Sequence, residues 1–162
     1  MFDLTGMTAL VTGASGGIGS AIAQALAAQG ARLAVSGSNA DKLSAFRDTL
    51  GGDHVALPCN LGDAAAVDAL VPSAVEALGQ LDILVNNAGV TRDNLIMRMK
   101  DEEWMDVIRI NLEANFRLAR AWLAAEIGKL NLSPAVVDKA LDFGPNGANP
   151  DLSTDMTEEQ IM

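Results

Sequence analysis

Between Thr8 and Trp122, short aliphatic runs alternate with longer segments whose apolar residues recur every three or four positions, and that alternation leaves few folds open. Thr8-Ala9-Leu10-Val11 reads as a strand, and Ile18, Ile22, Ala25 and Leu26 as the stripe of the helix behind it. The pattern returns with Leu33-Ala34-Val35 and a helix near Ala40 to Leu50. It returns again with Val55-Ala56-Leu57 and the stripe Val67, Leu70, Val71, Ala74, Val75 and Leu78, and then with Ile83-Leu84-Val85. A polar loop leads into a long helix, residues 101–124, with Trp104, Ile108, Leu112, Phe116, Ala119 and Leu123 on one face. Strands that are aliphatic nearly throughout need cover on both sides, which a parallel sheet flanked by helices provides. Right-handed crossovers then give an α/β fold, a Rossmann-like doubly wound parallel sheet.

After Trp122 the regularity decays, so the expected organisation is a dinucleotide-binding domain over residues 1–124 and an irregular, partly helical acidic tail over residues 125–162. Ser133-Pro134 suits a helix cap with proline at the first position, and Gly144-Pro145-Asn146-Gly147-Ala148-Asn149-Pro150 is turn chemistry without a core face. Thr157-Glu158-Glu159-Gln160 is a capping box that opens a helix, yet the chain stops two residues later; the expectation is that a longer protein would continue there.

Charge and cysteine usage narrow the partners. With 11 basic and 21 acidic residues the formal charge is −10, which argues against binding nucleic-acid phosphates as a main task. No apolar run approaches the ~20 residues that span a bilayer. The start, Met1-Phe2-Asp3-Leu4-Thr5-Gly6, lacks the basic leader and apolar core of a secretory signal, and a lone Cys59 permits no internal disulfide; a soluble, cytoplasmic protein is expected. The sole histidine, His54, has only Asp53 and Cys59 nearby and no ligand spacing, so it is expected at the surface and no metal is expected. Residues 92–120 hold 6 of the 11 basic residues, balanced by local carboxylates, and serve equally as a solvated helix face or a docking surface.

Two motifs carry chemistry. Thr12-Gly13-Ala14-Ser15-Gly16-Gly17-Ile18-Gly19 lies directly after a strand and opens a helix. There glycines let the backbone turn tightly and approach a pyrophosphate, which rests against the positive end of the helix dipole. Asn86-Asn87-Ala88-Gly89 ends the fourth strand, where open α/β sheets place their ligands, and its two amides can tie neighbouring strands and loops together.

Thr12, Gly13, Gly17 and Gly19, followed by Asn86-Asn87-Ala88-Gly89 and then Asn111, resemble the pattern of the classical short-chain dehydrogenases/reductases. The loop from Val90 through Thr91-Arg92-Asp93-Asn94-Leu95-Ile96-Met97-Arg98-Met99-Lys100 to Trp104 resembles that of the bacterial 3-oxoacyl-acyl-carrier-protein reductases of fatty-acid synthesis. The likeness runs from about Leu4 to Arg120. It implies that Gly13, Ser15, Gly17, Ile18 and Gly19 line the pyrophosphate and ribose, that Asn60 and Leu61 flank the adenine, and that Asn87, Ala88 and Gly89 meet the nicotinamide-side ribose. Asn111 would hold a water in the family's proton relay, where without the resemblance an asparagine in that helix could instead fill a packing gap. Ser38 joins the cofactor set, in Ser36-Gly37-Ser38-Asn39, where NAD-preferring relatives carry a carboxylate; NADP(H) is favoured, even though Gly16 replaces the family's phosphate-clamping arginine. The resemblance further implies acyl carrier protein as a partner and a homo-oligomer.

The departures are as informative. The family protonates the nascent alkoxide with a Tyr-x-x-x-Lys pair, and this chain has no tyrosine. Lys129 and Lys139 are preceded four positions earlier by Ala125 and Ala135, and Ser133 beside Pro134 suits a cap better than catalysis. The fold is thus expected to be incomplete relative to the family, binding NADP(H) with its chemistry crippled. Two alternatives stay open: a rearranged working site, and a non-catalytic assembly module using the 101–124 helix. Leu95, Ile96, Met97, Met99 and Met105 fit either an acyl-facing surface or plain loop packing.

Overall fold

The structure is a computed structural model and describes residues 2–129. The chain divides into two units, Met1–Ala124 and Ala125–Met162; of the second, residues 125–129, the end of the last helix, are among the described ones. The expectations for the tail beyond that point fall outside the described residues.

Strands β1 (Thr8–Thr12), β2 (Arg32–Gly37), β3 (Val55–Pro58) and β4 (Ile83–Val85) form one parallel sheet in the order β3-β2-β1-β4. Leu10 lies opposite Ala34 on one side and Leu84 on the other, and Val35 opposite Ala56. The helices are α1 (Gly17–Ala28), α2 (Ala40–Leu50), α3 (Ala64–Leu78), α4 (Asp101–Ile108) and α5 (Ala114–Lys129). The doubly wound reading holds: alternate residues of each strand serve opposite faces. Ala9, Val11, Leu33 and Val35 pack with Ala23 of α1 and Leu43 of α2. Leu10 and Ala34 pack with Val67, Leu70, Val71 and Ala74 of α3 and with Ala114 and Leu118 of α5. Each fully buried leucine in these layers contributes about 1.5–3 kcal/mol relative to exposure.

Helix ends follow local chemistry. Asn39 caps α2 by accepting from the Lys42 N–H at 2.8 Å, and Asp63 caps α3 by accepting from the Ala65 N–H at 3.0 Å. Gly79, at φ +86°, supplies the left-handed residue that ends α3. The start of α1 differs, for Gly16 offers no side-chain cap and its first turn holds no acidic residue. Its positive end is left for something else.

The segment read as one continuous 101–124 helix is interrupted. Between α4 and α5, Arg109–Glu113 form a wide π-helical turn in which the Ala114 N–H reaches back five residues to the Arg109 carbonyl. The stripe drawn straight through it does not mark a core face on either side of the turn. Ala114 and Leu118 are the buried positions of α5, while Trp104, Leu112, Phe116 and Leu123 are 48–64% exposed. Among the described residues, β4 is bonded to β1 alone, and no helix is long and apolar enough to cross a membrane.

Candidate functional site

All four strands run in the same sense, and their C-terminal ends converge where the glycine-rich loop meets the turn after β4. Thr12, 1% exposed, is the knot. Its hydroxyl accepts from the Asn87 and Ala88 N–H groups, both at 3.1 Å, and donates to the Val85 carbonyl at 3.2 Å. The Asn87 side-chain amide donates to the Thr12 carbonyl at 2.8 Å and to the Gly13 carbonyl at 3.4 Å. The expected tying role thus falls to Asn87, while Asn86 reaches the Asn115 carbonyl at 3.5 Å. The Ala14 N–H bonds the Ser36 carbonyl at 3.0 Å and the Cys59 N–H bonds the Gly37 carbonyl at 3.1 Å, so the ends of β1, β2 and β3 are laced together as well.

The glycines of the loop are not equivalent. Gly13 sits at φ +64°, and a Cβ there would come within 2.9 Å of the Ala88 Cα. A Cβ on Gly19 would press into the Gly13 carbonyl and the Asn87 amide. These two are required by the protein's own packing. Around Gly17, the first residue of α1, nothing lies within 4 Å of a Cβ position. That glycine keeps open space open.

The space is a cleft of about 590 Å³ lined by Gly13, Ser15, Gly17, Ile18, Gly19, Ser38, Asn60, Leu61, Asn87, Ala88 and Gly89, together with Thr12, Gly16, Ser36, Gly37, Cys59, Val90 and Ile110. Every residue assigned to the cofactor from the sequence lies on this one surface. Its lining holds no charged side chain. An anion there would be held by backbone N–H groups and by the uncapped positive end of α1.

Asn111 stands behind the cleft wall, its Oδ1 3.4 Å from where a Cβ on Gly89 would sit. It stands in the wide turn and does not line the cleft; its side chain clamps Val90 from both sides, accepting from the Val90 N–H at 2.8 Å and donating to the Val90 carbonyl at 2.8 Å. Val90 in turn lines the cleft.

A family model for short chain dehydrogenases matches residues 7–129. The chain belongs to that family. Over 127 residues it is 48% identical to the 3-oxoacyl-[acyl-carrier-protein] reductase FabG of Escherichia coli (strain K12), which takes in 78% of this chain and 52% of that protein. Nodulation protein G of Rhizobium sp. (strain N33) is 50% identical over 120 residues, 74% of this chain and 49% of its own length. A metagenomic short-chain oxidoreductase solved in complex with NADP matches at a TM-score of 0.74 and 38% identity, over 78% of this chain and 59% of that one. The chain spans about half the length of the curated relatives it matches.

Several side chains of the chain are placed by contacts that no motif announces. Val90 and Ile110, the latter in the wide turn, are walls of the cleft. Cys59 is 7% exposed, and burial, with Asp63 adding to it, pushes its thiol up, so it stays neutral. His54 corrects the surface expectation: half-buried at the start of β3, its Nδ1 accepts from the Leu33 N–H at 3.0 Å. Burial, aided by Arg32 and opposed by Asp53, lowers its pKa. Leu95, Ile96 and Met97 are 62–90% exposed, so loop packing is not their role. Among the described residues no group of three or more His, Cys, Asp or Glu could hold a metal ion.

Proposed function

We propose that this chain binds NADP(H) in the cleft at the strand ends. One observation carries the reading: the glycine loop, Ser38, Asn60-Leu61 and Asn87-Ala88-Gly89, far apart in sequence, line a single uncharged cleft with an uncapped helix start beneath it. The cradle fits a dinucleotide diphosphate, because Gly17 leaves room against the α1 N-terminus and that end has no protein anion to satisfy it. Gly13 and Ser15 would meet the pyrophosphate side and Ile18 would supply an apolar wall. Asn60 and Leu61 would flank the adenine, and Asn87, Ala88 and Gly89 the nicotinamide-side ribose. Ser36-Gly37-Ser38-Asn39 brings no carboxylate against a 2′-phosphate, which supports NADP(H) over NAD(H).

When bound, the dinucleotide supplies a hydride; a ketone so reduced also needs a proton at its oxygen, and there this chain is short of groups. It has no tyrosine, its one histidine accepts a hydrogen bond from Leu33 of β2, and the Asn111 side chain bonds Val90. The reading is therefore a 3-oxoacyl-carrier-reductase-like oxidoreductase domain that holds its cofactor and turns over at background. General acid catalysis typically supplies about 10²–10⁴-fold, and that factor is what the site lacks. Acyl carrier protein as a partner and a cytoplasmic setting follow from the likeness to the carrier-protein reductases.

A second reading, an assembly module, is favoured by the outward display of Trp104, Leu112, Phe116 and Leu123. The two are compatible, since none of these four residues lines the cleft. NADPH fluorescence enhancement, followed by addition of an acetoacetyl thioester, tests the proposal. Saturable enhancement without NADPH consumption is expected; the absence of any enhancement on folded protein would remove the binding claim, and turnover within about tenfold of an intact reductase would remove the claim of lost proton transfer.

A further inference from the structure

Asn115 follows the wide turn by two residues, near the start of α5, and its Oδ1 is the one buried side-chain polar atom without a partner among the described residues. Asparagine is a poor helix former, and an unpaired buried oxygen costs stability that an alanine there would not. The other end of the same amide is engaged: Nδ2 donates to the Asn111 carbonyl, four residues back, at 2.7 Å. Such side-chain bonds to the preceding turn hold and bend helices locally. Here the carbonyl being held belongs to the residue whose side chain grips Val90 through two 2.8 Å bonds.

We propose that Asn115 is a positioning residue of the dinucleotide site. By holding the Asn111 carbonyl it sets the wide turn so that the Asn111 side chain stays on Val90 and Ile110 stays in the cleft wall. The lines of force run Asn115 to Asn111 to Val90, and from Asn86 at the end of β4 to the Asn115 carbonyl. The site accepts a stability cost at Oδ1 in return for a fixed wall. The functional consequence rests on the dinucleotide reading; the clamp itself rests on the fold alone.

The test compares Asn115→Ala with Asn115→Ser in the full chain, reading Val90 amide exchange and the NADPH dissociation constant by calorimetry. Losing one hydrogen bond of ordinary strength predicts Val90 exchange and Kd each raised about fivefold in the alanine variant, with Tm unchanged or higher. A serine hydroxyl can bond the same carbonyl, so Asn115→Ser is expected to restore both to within about twofold. Asn115→Leu, which keeps the volume, repeats the comparison if the alanine variant is unstable. Unchanged Val90 exchange in the alanine variant overturns the proposal, as does a folded serine variant as impaired as the alanine one. If the wild-type chain binds no NADPH, the dinucleotide reading and the functional half fall, and the exchange comparison alone decides the clamp.

Discussion

Two glycines of the loop, two positions apart, are expected to fail in opposite ways. Around Gly17 no atom lies within 4 Å of the Cβ position, and the residue opens α1 with its face in the cleft. Gly17→Val therefore meets no protein atom at its Cβ. Folding is expected to be neutral or favoured slightly, since leaving glycine gains at most about 1 kcal/mol in a helix and less at its first residue. The side chain instead fills the space kept for the ligand, displacing the pyrophosphate from the N–H groups of the first turn. One or two charge-assisted hydrogen bonds at about 1.5–3 kcal/mol each amount to at least a tenfold loss of NADPH affinity. Gly19→Ala puts its Cβ against the Gly13 carbonyl and the Asn87 amide, both held by other bonds. Overpacking of that kind costs about 3 kcal/mol, roughly 10 °C in Tm for a domain of this size. Thermal unfolding and calorimetric titration of both variants separate the effects. A Gly17→Val protein that binds NADPH normally, or one that unfolds as readily as Gly19→Ala, would refute the reasoning.

Thr12→Val keeps the volume but removes the acceptor for the Asn87 and Ala88 N–H groups; urea unfolding is expected to show a loss of about 2–4 kcal/mol. His54 must be unprotonated at Nδ1 to accept from Leu33, and its folded pKa is lowered. Below the unfolded value of about 6.5 the unfolded chain therefore binds more protons, and stability falls with falling pH. The urea midpoint is expected to decline from pH 7 to pH 5, and His54→Gln to flatten that part of the profile; an unchanged slope would count against the assignment. If the face carrying Leu112 and Phe116 mediates self-association, Phe116→Glu is expected to shift the sedimentation distribution toward monomer without loss of secondary structure; an unchanged distribution would place the contact elsewhere.

What could be read in the sequence follows the physical range of each signal. Ile83-Leu84-Val85 and the stripe from Val67 to Leu78 were legible because burial on a sheet or helix face imposes a local period. The glycine loop was legible because close backbone approach excludes side chains, although which glycines serve packing and which serve the open cleft depends on Ala88 and Asn87, some 70 residues away. The wide turn was not legible. One extra residue in a helix leaves no mark in composition, yet the turn it makes holds Ile110 of the cleft wall and Asn111 with its grip on Val90. The place of His54 is hidden for a similar reason: its partner is a strand N–H 21 residues away, and an isolated imidazole in a sequence does not reveal whether it continues a ladder.

Calorimetric titration of the wild-type chain with NADPH tests the central claim most directly. Saturable binding at one site per chain is expected, tighter for NADPH than for NADH because no carboxylate in Ser36-Gly37-Ser38-Asn39 opposes the 2′-phosphate. Folded protein that gives no heat with NADPH up to millimolar concentration, at more than one temperature, would contradict it.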